Sequence, residues 1–304
     1  MKYLKIILRI LVGGTFILSA ILKLLSIDQF EMYIYSFGIF NFFLTSVLSR
    51  LLISFEFLLG VFLIAKFYYQ KTWWLMMLTM VGFTLFLIYT AIFRNDTNCH
   101  CFGSFIEIDP VGSIFKNLII IGLLFPIKKQ DDFKFKWRKW AIGIVTGAIL
   151  VVTFILIPPD SVYNKIYKPN NHINQEVLKE ILQDSAKADI AHIQGKHILA
   201  FYVSGCKFCK MSMQKVDQIF KQNQIPISQF NAIILGNQNE VDTFQKATKT
   251  LDYKMYSHAN PAQFLKAVYG TFPTILYMEG DSVCKVVNFR GINEGEMVQF
   301  LKKF

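Results

Sequence analysis

His197-Ile198-Leu199-Ala200-Phe201-Tyr202-Val203-Ser204-Gly205-Cys206-Lys207-Phe208-Cys209-Lys210 is the stretch that decides the reading of this 304-residue chain. His197–Val203 is an apolar run of strand length, and Ser204-Gly205 breaks it. From Cys206 the pattern turns helical to about Gln222. Two cysteines three residues apart could also be half of a zinc site. No second pair lies at a suitable spacing, so redox chemistry is the stronger reading. Working outward, an amphipathic helix precedes the strand over 174–188, with Val177, Leu178, Ile181 and Leu182 on one face. Downstream come a strand over Phe230–Leu235, a helix from Asn239 to about Leu251 and a helix over Pro261–Val268. Tyr269-Gly270-Thr271-Phe272-Pro273-Thr274-Ile275-Leu276-Tyr277 follows. A turn at Glu279–Ser282 then makes a hairpin with Val283–Phe289, and Asn293–Lys303 is a last helix.

Strand, Cys-x-x-Cys, helix, strand, helix, Thr-Phe-Pro-Thr before a hairpin, and a closing helix resemble the thioredoxin fold over residues 174–304. The resemblance implies an α/β domain with a thiol–disulfide site. Cys206 would sit at a helix N-terminus, where the dipole and the neighbouring Lys207 and Lys210 favour the thiolate. Cys209, one turn in, would resolve a mixed disulfide. Pro273 would be a cis-proline beside the cysteines. The sequence departs from the fold's usual pattern twice. Gly205 stands where Trp is usual, and the first strand carries no acidic residue to accept a proton. Cys284, in the hairpin, is expected to be a buried core thiol.

Upstream the character changes. The chain is 53% hydrophobic and 17% charged, with 30 Phe, against about 25% charged residues in soluble domains. This excludes intrinsic disorder and argues against an ordinary cytosolic enzyme. The apolar excess lies before about Pro158. A bilayer-crossing helix needs about 20 mostly apolar residues, and five segments qualify, at 3–25, 51–67, 73–93, 111–127 and 140–157. The first resembles a signal peptide, but four further spans favour a membrane domain. Lys and Arg in short loops set orientation. The connection Lys128–Lys139 has six positive residues, which makes it cytoplasmic, along with the N-terminus. The loop Arg94–Pro110 and the C-terminal domain then fall outside. Arg50 and Arg94 are isolated exceptions flanking outer loops. The net charge of +11 is explained by this topology and does not require nucleic acid.

The outer loop contains Asn98-Cys99-His100-Cys101-Phe102-Gly103, with Asp109-Pro110 behind it as a helix cap and first-turn pair. Cys99 and Cys101 suit a disulfide that opens and closes. A permanent staple and a metal site are the alternatives. Within the spans, Arg9, Gly13, Phe16, Ser19 and Lys23 share one helix face. Glu56 enters the second span from the same side as Lys23, so the two are expected to pair. Arg9…Gly13…Phe16…Ser19…Lys23, Glu56…Gly60, Tyr89…Cys99-His100-Cys101-Phe102-Gly103 and Lys116-Asn117 resemble the MauE/DoxX-like family of redox-associated membrane proteins over residues 1–127. His100 stands where Gly is usual and Lys116 where Arg is usual. The resemblance implies a four-helix membrane unit with a Cys-x-Cys-Phe-Gly outer loop and points to maturation of a disulfide-rich dehydrogenase. The fifth span would be an added tether.

Residues 158–173 read as a linker, with Pro158, Pro159, Pro169 and no apolar period. The expectation is a bacterial inner-membrane, multi-pass thiol–disulfide oxidoreductase whose outer domain acts on exported proteins. Electrons would pass between Cys206/Cys209 and Cys99/Cys101. No cofactor is expected to be covalently bound, and an oxidising route would end on a quinone or another acceptor. A non-catalytic folding scaffold is the main alternative, and a transporter using Lys23 and Glu56 is a third.

Overall fold

Long apolar runs in lipid satisfy their backbone groups only as helices, and the computed structural model bears this out. It describes residues 2–94, 109–133, 136–167, 172–183 and 193–302. The chain divides into two units, Met1–Ile34 with Leu44–Pro158, and Tyr35–Phe43 with Pro159–Phe304. The first contains α1 (Lys2–Leu25), most of α2 (Ile27–Tyr35) and of α3 (Phe42–Ala65), then α4 (Tyr69–Phe93), α5 (Pro110–Leu124) and α6 (Arg138–Leu156). A 3-10 turn, Phe125–Ile127, extends α5. Among the described residues, five helices are long and apolar enough to cross a membrane, namely α1, α3, α4, α5 with its turn, and α6. This is a multi-pass membrane protein.

The core of this unit comes from four of the five. Val12 and Phe16 of α1 pack with Leu59 and Leu63 of α3, Trp73, Met76 and Met80 of α4, and Ile120 and Leu124 of α5. Small residues let two backbones approach. A Cβ on Gly60 would lie 2.6 Å from Gly13 O, and one on Gly13 would lie 2.9 Å from Gly60 O. Such close approaches drive helix association where lipid removes the hydrophobic contrast. In α6, Thr153 is the one buried residue, which suits a helix bathed in lipid. Asp109 caps α5, accepting from Gly112 N at 3.2 Å, with Pro110 in the first turn as expected.

Two differences from the sequence reading concern polar residues. The span α3 starts at Phe42 rather than Leu51, and α2 was not anticipated. Thr45, Ser46, Ser49 and Arg50 interrupt the apolar run of α3, yet all four are buried. Arg50 is not a loop charge. It pairs with Glu31 of α2, and its Nη1 donates to Ser46 O at 2.7 Å. Its Nε donates to Ile157 O at 2.8 Å, satisfying a carbonyl just past the end of α6.

The second unit is an α/β domain. After α7 (Asp160–Tyr167) and α8 (Gln175–Leu182) come β1 (Lys196–Val203), α9 (Lys207–Asn223), β2 (Phe230–Leu235) and α10 (Gln238–Thr248). They are followed by β3 (Lys254–His258), α11 (Pro261–Ala267), β4 (Thr274–Glu279), β5 (Ser282–Val287) and α12 (Glu294–Lys302). The sheet order is β3-β2-β1-β4-β5. β1 and β3 pair parallel with β2, while β1–β4 and β4–β5 are antiparallel. Side chains alternate across the sheet. Leu199 and Phe201 of β1 join Ile233, Leu276 and Met278 against α8 and α11. From the other face, Tyr202 stacks on Phe244 of α10 and Tyr277 meets Phe300 of α12. This mixed sheet with its helices is a thioredoxin-like domain.

Three features here differ from expectation. β3 is an edge strand whose sequence, Lys-Met-Tyr-Ser-His, lacks an apolar run. The segment read as a linker contains α7, which belongs to this unit. Asp160 of α7 lies 3.2 Å from the wholly buried Lys215 Nζ of α9 and 3.7 Å from Arg290. Finally, Cys284 is exposed, not a core thiol. It sits on edge strand β5, where the β4–β5 register shifts between Val283 and Lys285.

Candidate active site

Chain direction builds the site. β1 is the central strand, and its C-terminal end delivers Ser204-Gly205 and then Cys206. Cys206 is the N-cap of α9, with extended backbone, and its sulfur accepts from Cys209 N at 3.2 Å. Lys210 N in turn donates to Cys206 O at 3.2 Å. A helix N-terminus presents unsatisfied N–H groups and the positive end of the dipole, both of which favour an anionic sulfur. The two thiols differ in access. Cys206 is half-buried and Cys209 is fully buried. Burial pushes the Cys209 thiol far above the ordinary range, and the neighbouring Cys206 sulfur raises it further. Cys206 is therefore placed to meet a partner sulfur, and Cys209 to follow from inside.

Phe272–Pro273 is a cis peptide bond, as anticipated, and Pro273 is buried. The antiparallel register pairs Thr274 with Phe201, which brings Pro273 to the end of β1 that leads to Cys206. Phe208, between the cysteines, is 45% exposed and lies 5.8 Å from the Phe289 ring. A Cβ on Gly205 would meet nothing within 4 Å. The Gly in place of Trp thus leaves open space before Cys206. Ser204 donates to Glu240 of α10, anchoring the turn.

No carboxylate stands on β1. Instead Tyr202, fully buried, shares a 3.0 Å hydrogen bond with Ser212, one turn beyond Cys209. Burial raises the Tyr202 phenol far above its usual value. The Ser212 hydrogen bond opposes that shift, and the nearby Cys209 and Cys206 add to it. In sequence, Tyr202 is one residue among several in an apolar strand. Only its tertiary partner identifies it as the polar group behind the cysteines.

In the membrane unit, Lys23 and Glu56 do pair, as their matched depths suggested. Lys23 Nζ is 2.6 Å from Glu56 Oε2, and Ser19 Oγ donates to Glu56 Oε1 at 2.8 Å. Phe30 and Phe83 rings lie 5.7 and 5.6 Å from the ammonium. All three polar residues are buried. Asn117, named beside Lys116 in the family motif, donates to Thr84 at 3.3 Å. Cys99, His100 and Cys101 lie outside the described residues. Among the described residues no three metal-binding side chains come together.

Residues 1–128 match the family described as methylamine utilisation protein MauE. The chain is 26% identical over 316 residues to Protein TlpB of Flavobacterium psychrophilum, an alignment spanning 84% of this chain and 83% of that protein. No solved structure matches the chain.

Proposed function

We propose, for a chain whose residues 1–128 form a MauE-family membrane domain and whose sheet domain is thioredoxin-like, that it is a membrane-anchored thiol–disulfide oxidoreductase. The observation that carries this reading is the asymmetry of the cysteines. Cys206 is accessible at the cap of α9 with its sulfur accepting the Cys209 N–H, and Cys209 is buried behind it. In the oxidising direction a client thiolate attacks the Cys206 sulfur of the Cys206–Cys209 disulfide. The S–S bond breaks, and Cys209 leaves as a thiolate and takes a proton. A second client thiolate attacks the client sulfur of the mixed disulfide, forming the client disulfide and releasing Cys206. Two electrons now rest on the Cys206/Cys209 dithiol.

The membrane Cys99–Cys101 disulfide would reoxidise that dithiol through the same exchange and pass the electrons to a quinone or another membrane acceptor. The clients would be exported proteins with several disulfides, such as the dehydrogenase of methylamine utilisation. The setting would be the bacterial inner membrane, with the sheet domain on the outer side, where disulfides persist.

Trapping tests the relay. Cys209→Ser leaves Cys206 as attacker without its resolving partner, so it should accumulate a covalent bond to Cys99 or Cys101 within one chain. Cleavage between residues 158 and 173, followed by non-reducing electrophoresis, should show the halves joined, and reductant should part them. Halves that separate without reductant, although Cys99–Cys101 is oxidised, would refute the relay.

A further inference from the structure

Arg9 of α1 and Gln130 meet at the end of the membrane unit that carries the connection from α5 to α6. Arg9 Nη1 donates to Gln130 Oε1 at 3.2 Å. A guanidinium has five donors in a fixed fork and does not shed its charge. Arg9 Nε and Gln130 Nε2 are both buried atoms, and neither has a hydrogen-bond partner among the described residues. Two neighbouring buried donors without an acceptor are costly. The arrangement calls for an oxygen from outside the chain, and the fixed positive charge calls for an anionic one.

The surroundings say where that oxygen comes from. Lys5 lies one turn before Arg9 on the same face of α1. Tyr69 donates to Ile127 O at 2.6 Å and Trp73 Nε1 to Leu124 O at 2.9 Å. Lys128 Nζ lies 5.3 and 5.2 Å from the Trp73 and Trp74 rings. Arg138 lies over the Tyr68 ring at 4.7 Å and Lys71 at 5.7 Å. The nearby carboxylate of Asp132 is already engaged, by Tyr69 N at 2.7 Å and Arg138 at 3.0 Å. Trp and Tyr interleaved with Lys and Arg at helix ends mark the headgroup level of a bilayer. At that level the abundant anionic oxygen is lipid phosphate.

We propose that Arg9 and Gln130 bind the phosphodiester of an anionic phospholipid, with Lys5 and Lys128 supplying the positive potential that selects it over a zwitterionic lipid. Arg9 offers Nε and Gln130 offers Nε2 to the phosphate oxygens. The acyl chains then lie along the apolar flanks of the helices. This site is independent of the thiol chemistry.

Native mass spectrometry of the full chain in detergent tests the proposal, with phosphatidylglycerol and phosphatidylcholine of identical acyl chains as probes. Phosphatidylglycerol should be retained preferentially. Arg9→Gln and Gln130→Ala should each weaken that retention about fivefold, the order expected for one basic or charge-assisted contact at a lipid surface. Phosphatidylcholine retention should not change. Lys196→Gln, on the sheet domain, should leave both unchanged. Gln130 lies in a connection, so its variant decides the matter if Arg9→Gln aggregates. Equal retention of the two lipids, or wild-type phosphatidylglycerol retention by Gln130→Ala, overturns the proposal. So does displacement of the lipid by inorganic phosphate at comparable occupancy, which would make the site one for the free anion.

Discussion

At the residue scale, the Cys-x-x-Cys pair works because one helix end treats its two sulfurs differently. Three residues of spacing put Cys206 at the cap and Cys209 a turn inside, and this much is readable from the motif alone. The Tyr202–Ser212 hydrogen bond behind them is not, because neither residue has an unusual neighbour in sequence and only the packing of α9 on β1 joins them. His197, at the start of the same strand, makes a pH-dependent contribution to stability. Burial lowers its pKa below the ordinary value, partly offset by its Gly195 carbonyl contact. The unfolded chain therefore binds a proton near pH 6.5 that the folded chain resists. The stability involved is fully present above that pH and is lost as pH falls towards the depressed folded value. Denaturant unfolding of the sheet domain should show a loss below about pH 6.5, and His197→Gln should flatten that limb. An unchanged slope in the variant would remove His197 as its source.

At the scale of elements, apolar runs and strand–turn–helix order were legible, whereas elements stabilised by polar contacts were not. The α4 and α5 spans needed only their hydropathy. The first two turns of α3 were missed because their burial is polar, made with Glu31 of α2, and no scale of apolarity registers that. β3 was missed because an edge strand needs only one neighbour. The Lys23–Glu56 pair was legible because two ions at matching depth in lipid have few other solutions. Glu56→Gln should leave the Lys23 ammonium buried without its counter-charge and cost about 3–5 kcal/mol, read by thermal unfolding in detergent. Lys23→Met in the same chain should recover much of that loss. Purely additive effects would show that the ions act separately, despite their 2.6 Å contact.

At the scale of the whole molecule, we propose that each of the five long apolar helices among the described residues crosses the bilayer, so that α6 separates Lys129 from Phe304. Reporter tags after Lys129 and after Phe304 should therefore give opposite signals, with Phe304 outside. A cytoplasmic Phe304 would remove the oxidising compartment on which the thiol reading depends. The boundary between the halves was legible only as a change in composition. Its detail was not, since Pro158, Pro159 and Pro169 look like a tether while Asp160 is held by Lys215 at 3.2 Å and by Arg290. That contact bears on how a water-soluble piece of this protein should be cut. A fragment starting at Asn174 would keep the sheet, both cysteines and Pro273, yet it would lose Asp160, one of the groups around the Lys215 ammonium. A fragment starting at Pro159 retains the carboxylate. The shorter one should unfold more easily than the longer one, so weak reductase or oxidase activity measured on it would report a truncation artefact rather than the chemistry of Cys206.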